Sequence, residues 1–312
     1  MTTSSKVLRV LVACEFSGAV RRAFRALGHD AWSCDLLPAA DGSEFHLEGD
    51  VLPWLSGMDG QRWDLLIAFP PCTYLCSSGM HWTSRGLRDP QLTEDALAFV
   101  QALMDAPIPH IAIENPVGAI STRIRPYDQK VQPWQFGHDA SKGTCLWLDN
   151  LPPLRHTKVV PPAGWEVVKF AADMIDEEGQ EAWCEEHQMD FADCDCLGPT
   201  QDGVEYAERD GYLFGRLESE TAKGVKLIWG NQTPSGQNKL GPSADRWALR
   251  SQTYEGLAAA MAAQWTHYIL CLSQSPVKAK GAKGQRAKGA KGVDFARNGQ
   301  VRAAETGQKP WD

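Results

Sequence analysis

A rhythm in the first 150 residues constrains this chain more than any other feature: short apolar runs alternate with segments of helical period. "VLRVLVACEFSG" alternates and breaks at Gly18, and "AVRRAFRALG" then carries apolar residues at helical spacing up to Gly28. Together they predict a strand, a tight turn and a glycine-capped helix. "HDAWSCDLLP" predicts a second strand ending in Asp35, and "EGDV" brings a further acid at Asp50. Leu65 to Phe69 form a continuous apolar run stopped by Pro70 and Pro71, as expected of a strand covered on both faces. "DPQLTEDALAFVQALMDA" predicts an amphipathic helix with a proline near its start, and "PHIAIENP" a strand ending in Glu114, Asn115 and Pro116. Alternation of this kind implies a doubly wound, mostly parallel α/β sheet.

Such sheets place their chemistry outside the carboxyl ends of the strands. Four polar clusters fall there: Glu15 to Gly18, Asp35, Cys72 and Glu114. Proline fixes its own φ, restricts the residue before it and cannot donate to a ladder, so Cys72 is expected in a stiff turn just past its strand. A small-residue turn opening a helix, followed about twenty residues later by an acid, suits a nucleoside whose ribose hydroxyls need an acceptor. Only Gly18 stands where a dinucleotide site would have several glycines. A cofactor with a ribose but no phosphate at that turn fits better.

At 312 residues and 43% apolar, the chain can bury one good-sized core with a smaller appendage. No run approaches the roughly 18 apolar residues of a membrane span, and "MTTSSK" leads straight into a strand without a signal-peptide core. The expectation is a cytoplasmic monomer with no membrane contact. Nine scattered cysteines do not resemble a secreted disulfide framework, so reduced thiols are expected. Cys14 and Cys34 read as core, and Cys76 as structural. Charge is uneven. Residues 276–312 hold nine Lys/Arg against three Asp/Glu, which leaves 22 against 36 in 1–275. The tail "VKAKGAKGQRAKGAKG" has no apolar face and reads as a disordered basic arm, either a solubilising terminus or a salt-sensitive tether to nucleic acid.

"ACEFSG", "CDLLP", "GDV", "AFPPCTYLCSSG" and "IAIENPVG" resemble, in order, the motifs of the cytosine-5 DNA methyltransferase family, especially its short, divergent members found in phages and prophages. "RSQTYEGLAAAMAAQW" is similar to that group's C-terminal closing helix. Pro-Pro-Cys after one strand and Glu-Asn after a later one are the specific part. The resemblance implies a Rossmann-like sheet that binds S-adenosyl-L-methionine and methylates carbon 5 of a flipped-out cytosine in DNA. Carbon 5 is a poor nucleophile. A thiolate added at carbon 6 makes the ring enamine-like while an acid serves ring nitrogen 3, and the resemblance casts Cys72 as thiolate and Glu114, with Asn115, as the acid motif. A free thiol is mostly protonated near neutral pH, so nearby amides or cations are expected to lower Cys72. The cofactor would lie against Glu15, Phe16, Ser17, Gly18, Asp35, Asp50 and Pro70, with Asp35 on the ribose and Asp50 near the adenine. Thr73 and Pro116 depart from the usual motifs, and the family's arginine-rich motif is assigned only to Arg123 or Arg125.

The chain then divides into a core (1–150), an acidic insertion (151–228), a reading loop with the closing helix (229–275) and the basic tail (276–312). Residues 151–230 carry seventeen Asp/Glu against seven Lys/Arg, a composition that repels phosphate. Within it Cys184, His187, Cys194 and Cys196 suffice for one tetrahedral zinc, or are incidental thiols on an acidic helix. Base reading is expected from "WGNQTPSGQNKLGPSADRW" and from Arg250, three residues past it, through Gln237, Asn238, Lys239, Arg246 and Arg250. The alternatives are the same thiol chemistry on RNA or with another transferred group, and a non-catalytic nucleic-acid-binding relic.

Overall fold

A computed structural model describes residues 6–170, 183–184, 189–190, 204–210, 212–217, 227–233, 238–241, 243 and 251–274. The tail expectation, His187, Cys194, Cys196, Gln237, Arg246 and Arg250 lie outside the described residues, as does the side chain of Cys184.

The elements run β1 (Arg9–Ala13), α1 (Ala19–Ala26), β2 (Asp30–Asp35), β3 (His46–Glu48), β4 (Leu65–Ala68), α2 (Ser77–Ser84), α3 (Gln91–Met104), β5 (His110–Asn115), α4 (Ala119–Arg123), β6 (Gln129–Val131) and β7 (Thr144–Asp149). They form one seven-stranded sheet in the order β3-β2-β1-β4-β5-β7-β6. β1 through β5 pair in parallel, and β7 runs antiparallel between β5 and β6. This is the Rossmann strand order with one reversed strand inserted near the edge.

Successive residues of β1, β4 and β5 enter opposite layers. Val10, Val12, Leu65, Ile67 and Ala112 pack with Val20 and Phe24 of α1 and with Met261 and Trp265 of the last helix, α5 (Glu255–Gln274). Leu11, Ala13, Leu66, Ala68, Ile111 and Ile113 pack with Leu97, Val100 and Leu103 of α3. Burial on both faces is why these strands read as unbroken apolar runs. Each buried valine, leucine or isoleucine among them contributes about 1.5–3 kcal/mol.

β8 (Glu166–Phe170), β11 (Val204–Arg209) and β12 (Tyr212–Leu217) form a separate antiparallel sheet, ordered β11-β12-β8, and β9 (Trp183–Cys184) pairs with β10 (Met189–Asp190). An aromatic cluster of Trp134, Trp165, Tyr212, Phe214 and Trp229 attaches the three-stranded sheet to the loop before β7. Trp134 and Trp229 stack at 5.2 Å. Among the described residues no helix is long and apolar enough to cross a membrane, and no group of three or more His, Cys, Asp or Glu is placed to hold a metal ion.

Candidate active site

The turns after β1, β2, β4 and β5 lie along one edge of the sheet, and each is built differently. After β1, Cys14 takes a left-handed φ of 57° and the chain reverses into α1. Glu15 is buried beneath the helix start, where its carboxylate accepts the N–H groups of Val20 at 2.7 Å and Arg21 at 3.3 Å. It therefore caps α1 from inside. Burial pushes Glu15 up to about 7, against the pull of those two N–H groups and of the Arg21 and Arg22 guanidiniums. Gly18 stands at the N-cap with φ +69°, where a Cβ would come within 2.9 Å of both the Arg21 guanidinium carbon and Asp41. Asp41 pairs with Arg21 and, at 3.0 Å, with Arg22.

Asp35 ends β2 half-buried and accepts the Leu37 N–H at 3.0 Å. Burial pushes it up, while the Leu37 N–H and His46 oppose. Asp50 is exposed and accepts the Leu52 N–H at 3.0 Å, capping the short turn at Leu52–Trp54. Cys14 lies near both acids, and burial followed by their charges pushes its thiol far up. Cys34 is core as expected; Cys14 instead occupies the turn, half-buried. Phe16 and Ser17 are half-buried in the same turn.

The turn after β4 is held from behind. Asn115, buried at the end of β5, donates from Nδ2 to the carbonyl of Pro70 at 2.7 Å. The Cys72 carbonyl accepts from Leu75 at 3.0 Å and Cys76 at 2.9 Å, which closes a helical turn leading into α2. The turn after β5 lies across it: Cys76 and Gly118 form an isolated antiparallel bridge, and Ala119 donates to the Leu75 carbonyl at 2.7 Å. Gly118 permits that approach, since a Cβ there would collide with the Leu75 carbonyl and come within 2.8 Å of the Cys76 Cα.

Cys72 is left exposed, with Glu114 and Lys142 close enough to act on its charge. Glu114 is half-buried, accepts a short hydrogen bond from the Thr144 hydroxyl, and lines a shallow cleft with Lys142, Thr144, Gln252, Thr253 and Tyr254. The expectation that cations and amides lower Cys72 is met by Lys142 alone; contact with the Cys76 thiol, burial and Glu114 push Cys72 up. The same contact pulls Cys76 down to about 5 despite burial, helped by the Ser78 hydroxyl and the Gly79 N–H. As a unit the pair gives up its first proton below the usual thiol range and holds the second above it.

No motif in the sequence marks Lys142 or Thr144. Their available signal was Lys-Gly-Thr at the opening of an apolar strand. Arg123 pairs with Glu94 at 2.9 Å, and Arg125 with Asp128 at 2.7 Å, so both are engaged within the protein. Asn238 and Lys239 are exposed: the Asn238 carbonyl oxygen accepts from Leu240 at 2.8 Å, and Lys239 Nζ donates to the Gly230 carbonyl at 2.8 Å.

The fold is Rossmann-like: a doubly wound, mostly parallel sheet. Among solved structures, the chain is similar to Entamoeba histolytica methyltransferase EhMeth, with a TM-score of 0.36 and 14% identity over 55% of this chain and 61% of that one. It is also similar to the bifunctional kinase-methyltransferase WbdD, with a TM-score of 0.29 and 11% identity over 69% of this chain and 57% of that one. The chain thus spans about six-tenths of the length of the structures it matches. No protein-family model and no curated protein matches it in sequence.

Proposed function

We propose that this chain is a methyltransferase that acts on carbon 5 of cytosine in DNA and takes its methyl group from S-adenosylmethionine. One observation carries the reading: an exposed thiol and a carboxylate, from the ends of the adjacent parallel strands β4 and β5, share an edge with a lysine and with the turns of β1 and β2.

The β1 and β2 turns fit that cofactor. Glu15 occupies the N–H-rich start of α1, so a phosphate bound there would meet a carboxylate, which disfavours a dinucleotide. Asp35 and Asp50 offer carboxylates to a ribose and to an amino group, while Phe16, Ser17, Gly18 and Pro70 line the turns between them. When bound, S-adenosylmethionine supplies an electrophilic methyl group. On the protein side, the Cys72 sulfur adds to carbon 6 of the base, because it is the exposed member of the thiol pair. Glu114, held by Thr144, serves ring nitrogen 3, and Lys142 offsets the negative charge gathered there. Loss of the carbon 5 proton then lets the cysteine depart. The exposed Asn238 and Lys239 and the basic tail are proposed to contact DNA, the tail through phosphates alone.

A duplex containing 5-fluorocytosine tests the reading, because fluorine blocks the final elimination. With S-adenosylmethionine it should give an adduct that survives denaturation, absent in Cys72→Ser. An adduct formed on a fluorinated RNA but not on DNA would move the substrate to RNA; a stable adduct in Cys72→Ser would sink the nucleophile.

A further inference from the structure

The proposed reaction uses one thiol of the turn after β4, yet the turn holds two in contact. Cys76 follows Cys72 by one turn of backbone, with its N–H on the Cys72 carbonyl at 2.9 Å, and the two thiols are close enough to act on each other's charge. Its sulfur lies 3.3 Å from the Ser78 hydroxyl at the start of α2, where amide dipoles favour a thiolate. Cys72 is exposed and Cys76 half-buried, so a small oxidant reaches the pair from solvent.

We propose that Cys72 and Cys76 form a reversible disulfide that switches the site off in response to peroxide. The switching role rests on Cys72 being the nucleophile; the disulfide itself does not. The Cys76 thiolate attacks one oxygen of hydrogen peroxide, the O–O bond breaks, and hydroxide leaves and takes up a proton as water. Cys76 is then a sulfenic acid. The Cys72 sulfur attacks the Cys76 sulfur, the S–S bond forms, the S–O bond breaks, and a second water departs with the Cys72 proton. Two thiols have lost two electrons and one peroxide has gained them.

Geometry makes this bond closable and easily reopened. Residues four apart on a helical turn hold their Cβ atoms about 5–6 Å apart, whereas a disulfide needs about 3.5–4.5 Å. The turn must therefore shift to bring the two sulfurs together, which leaves the bond strained. A strained, exposed disulfide is the labile kind that cellular thiols reduce. Oxidised, Cys72 has no free sulfur for carbon 6.

Cleavage at Arg62 and Arg85 releases residues 63–85 with both sulfurs and no other cysteine. The full chain is treated with hydrogen peroxide, then alkylated while denatured, and this peptide is weighed. It should be lighter by two hydrogens and carry no alkyl group, while dithiothreitol restores two alkylation sites. The exposed Cys271 serves as internal reference. Trapping on the fluorinated duplex should fall about tenfold or more with oxidation and return on reduction. In Cys76→Ser the peptide should lose the link while the reduced variant still traps. Both sulfurs remaining alkylatable when Cys271 is oxidised, or a link from Cys72 to a different cysteine, would overturn the proposal. A wild-type chain that forms the disulfide yet never traps upholds the pair and overturns the proposed reaction instead.

Discussion

The turn after β1 and the turn after β4 end neighbouring parallel strands, yet they are built on opposite plans. In the first, the side chains serve the turn itself: Glu15 caps α1, and Arg21 and Arg22 hold Asp41. In the second, the main chain and a buried asparagine do the holding, and the reactive side chain is left outside. On the proposed function, a turn that only has to receive a cofactor can consume its own polar groups. One that has to react must be braced by something else.

Removing the reactive group tests that contrast most severely. Cys72→Ser should cut methyl transfer by about a thousandfold or more while S-adenosylmethionine affinity, read by calorimetry, stays at the wild-type value. Next come matched glycine substitutions, one in each turn. Gly118→Ala drives a methyl group into the Leu75 carbonyl and shifts the thiol, and a displacement of about 1 Å costs on the order of a hundredfold in rate. The loss should fall on kcat. Gly18→Ala, strained by its positive φ and crowded by Arg21 and Asp41, should instead weaken cofactor affinity with kcat at saturation retained. If both variants lose the same parameter, the two turns are not divided in this way.

Asp35→Ala should weaken S-adenosylmethionine by the roughly 1.5–3 kcal/mol of a charged hydrogen bond, about ten- to hundredfold in Kd. Tight binding of NAD with none of S-adenosylmethionine would overturn the cofactor. The last effect concerns stability alone. Glu15 sits near 7 in the folded chain against about 4.5 in an unfolded one, so its protonation favours folding fully below about pH 4.5. That contribution, on the order of 3 kcal/mol, is lost as pH rises through 7. Thermal melts should therefore fall between pH 5 and 8, and Glu15→Gln should flatten the slope. An unchanged slope would mean that another group carries it.

The parallel half of the sheet could be read from the chain because strands buried on both faces leave unbroken apolar runs, and because Pro70 and Pro71 mark an end that periodicity alone would blur. What escaped reading depends on contacts between distant residues. Trp134, Trp165 and Trp229 meet in one cluster although nothing local connects them. Lys142 and Thr144 reach Glu114 only because β7 runs backwards beside β5, and an apolar run does not announce its direction. That Glu15 caps the next helix is equally hidden, since an acid three residues before a glycine looks the same in sequence whether or not it does. The approach of Cys76 to Cys72 is hidden too, because it depends on how residues 73–75 wind.

The bridge between Cys76 and Gly118 is made of main-chain groups, and so is the bond from Ala119 to Leu75. Such stitches do not depend on which side chains the outer surface of the turn carries. Val117 has an exposed side chain and contributes only its carbonyl, which accepts from Ser77, so substitutions there leave the stitches intact. Descendants of this chain can therefore alter the surface that surrounds the thiol while the thiol and the carboxylate keep their places. Under the proposed function, target preference and chemistry can drift at separate speeds.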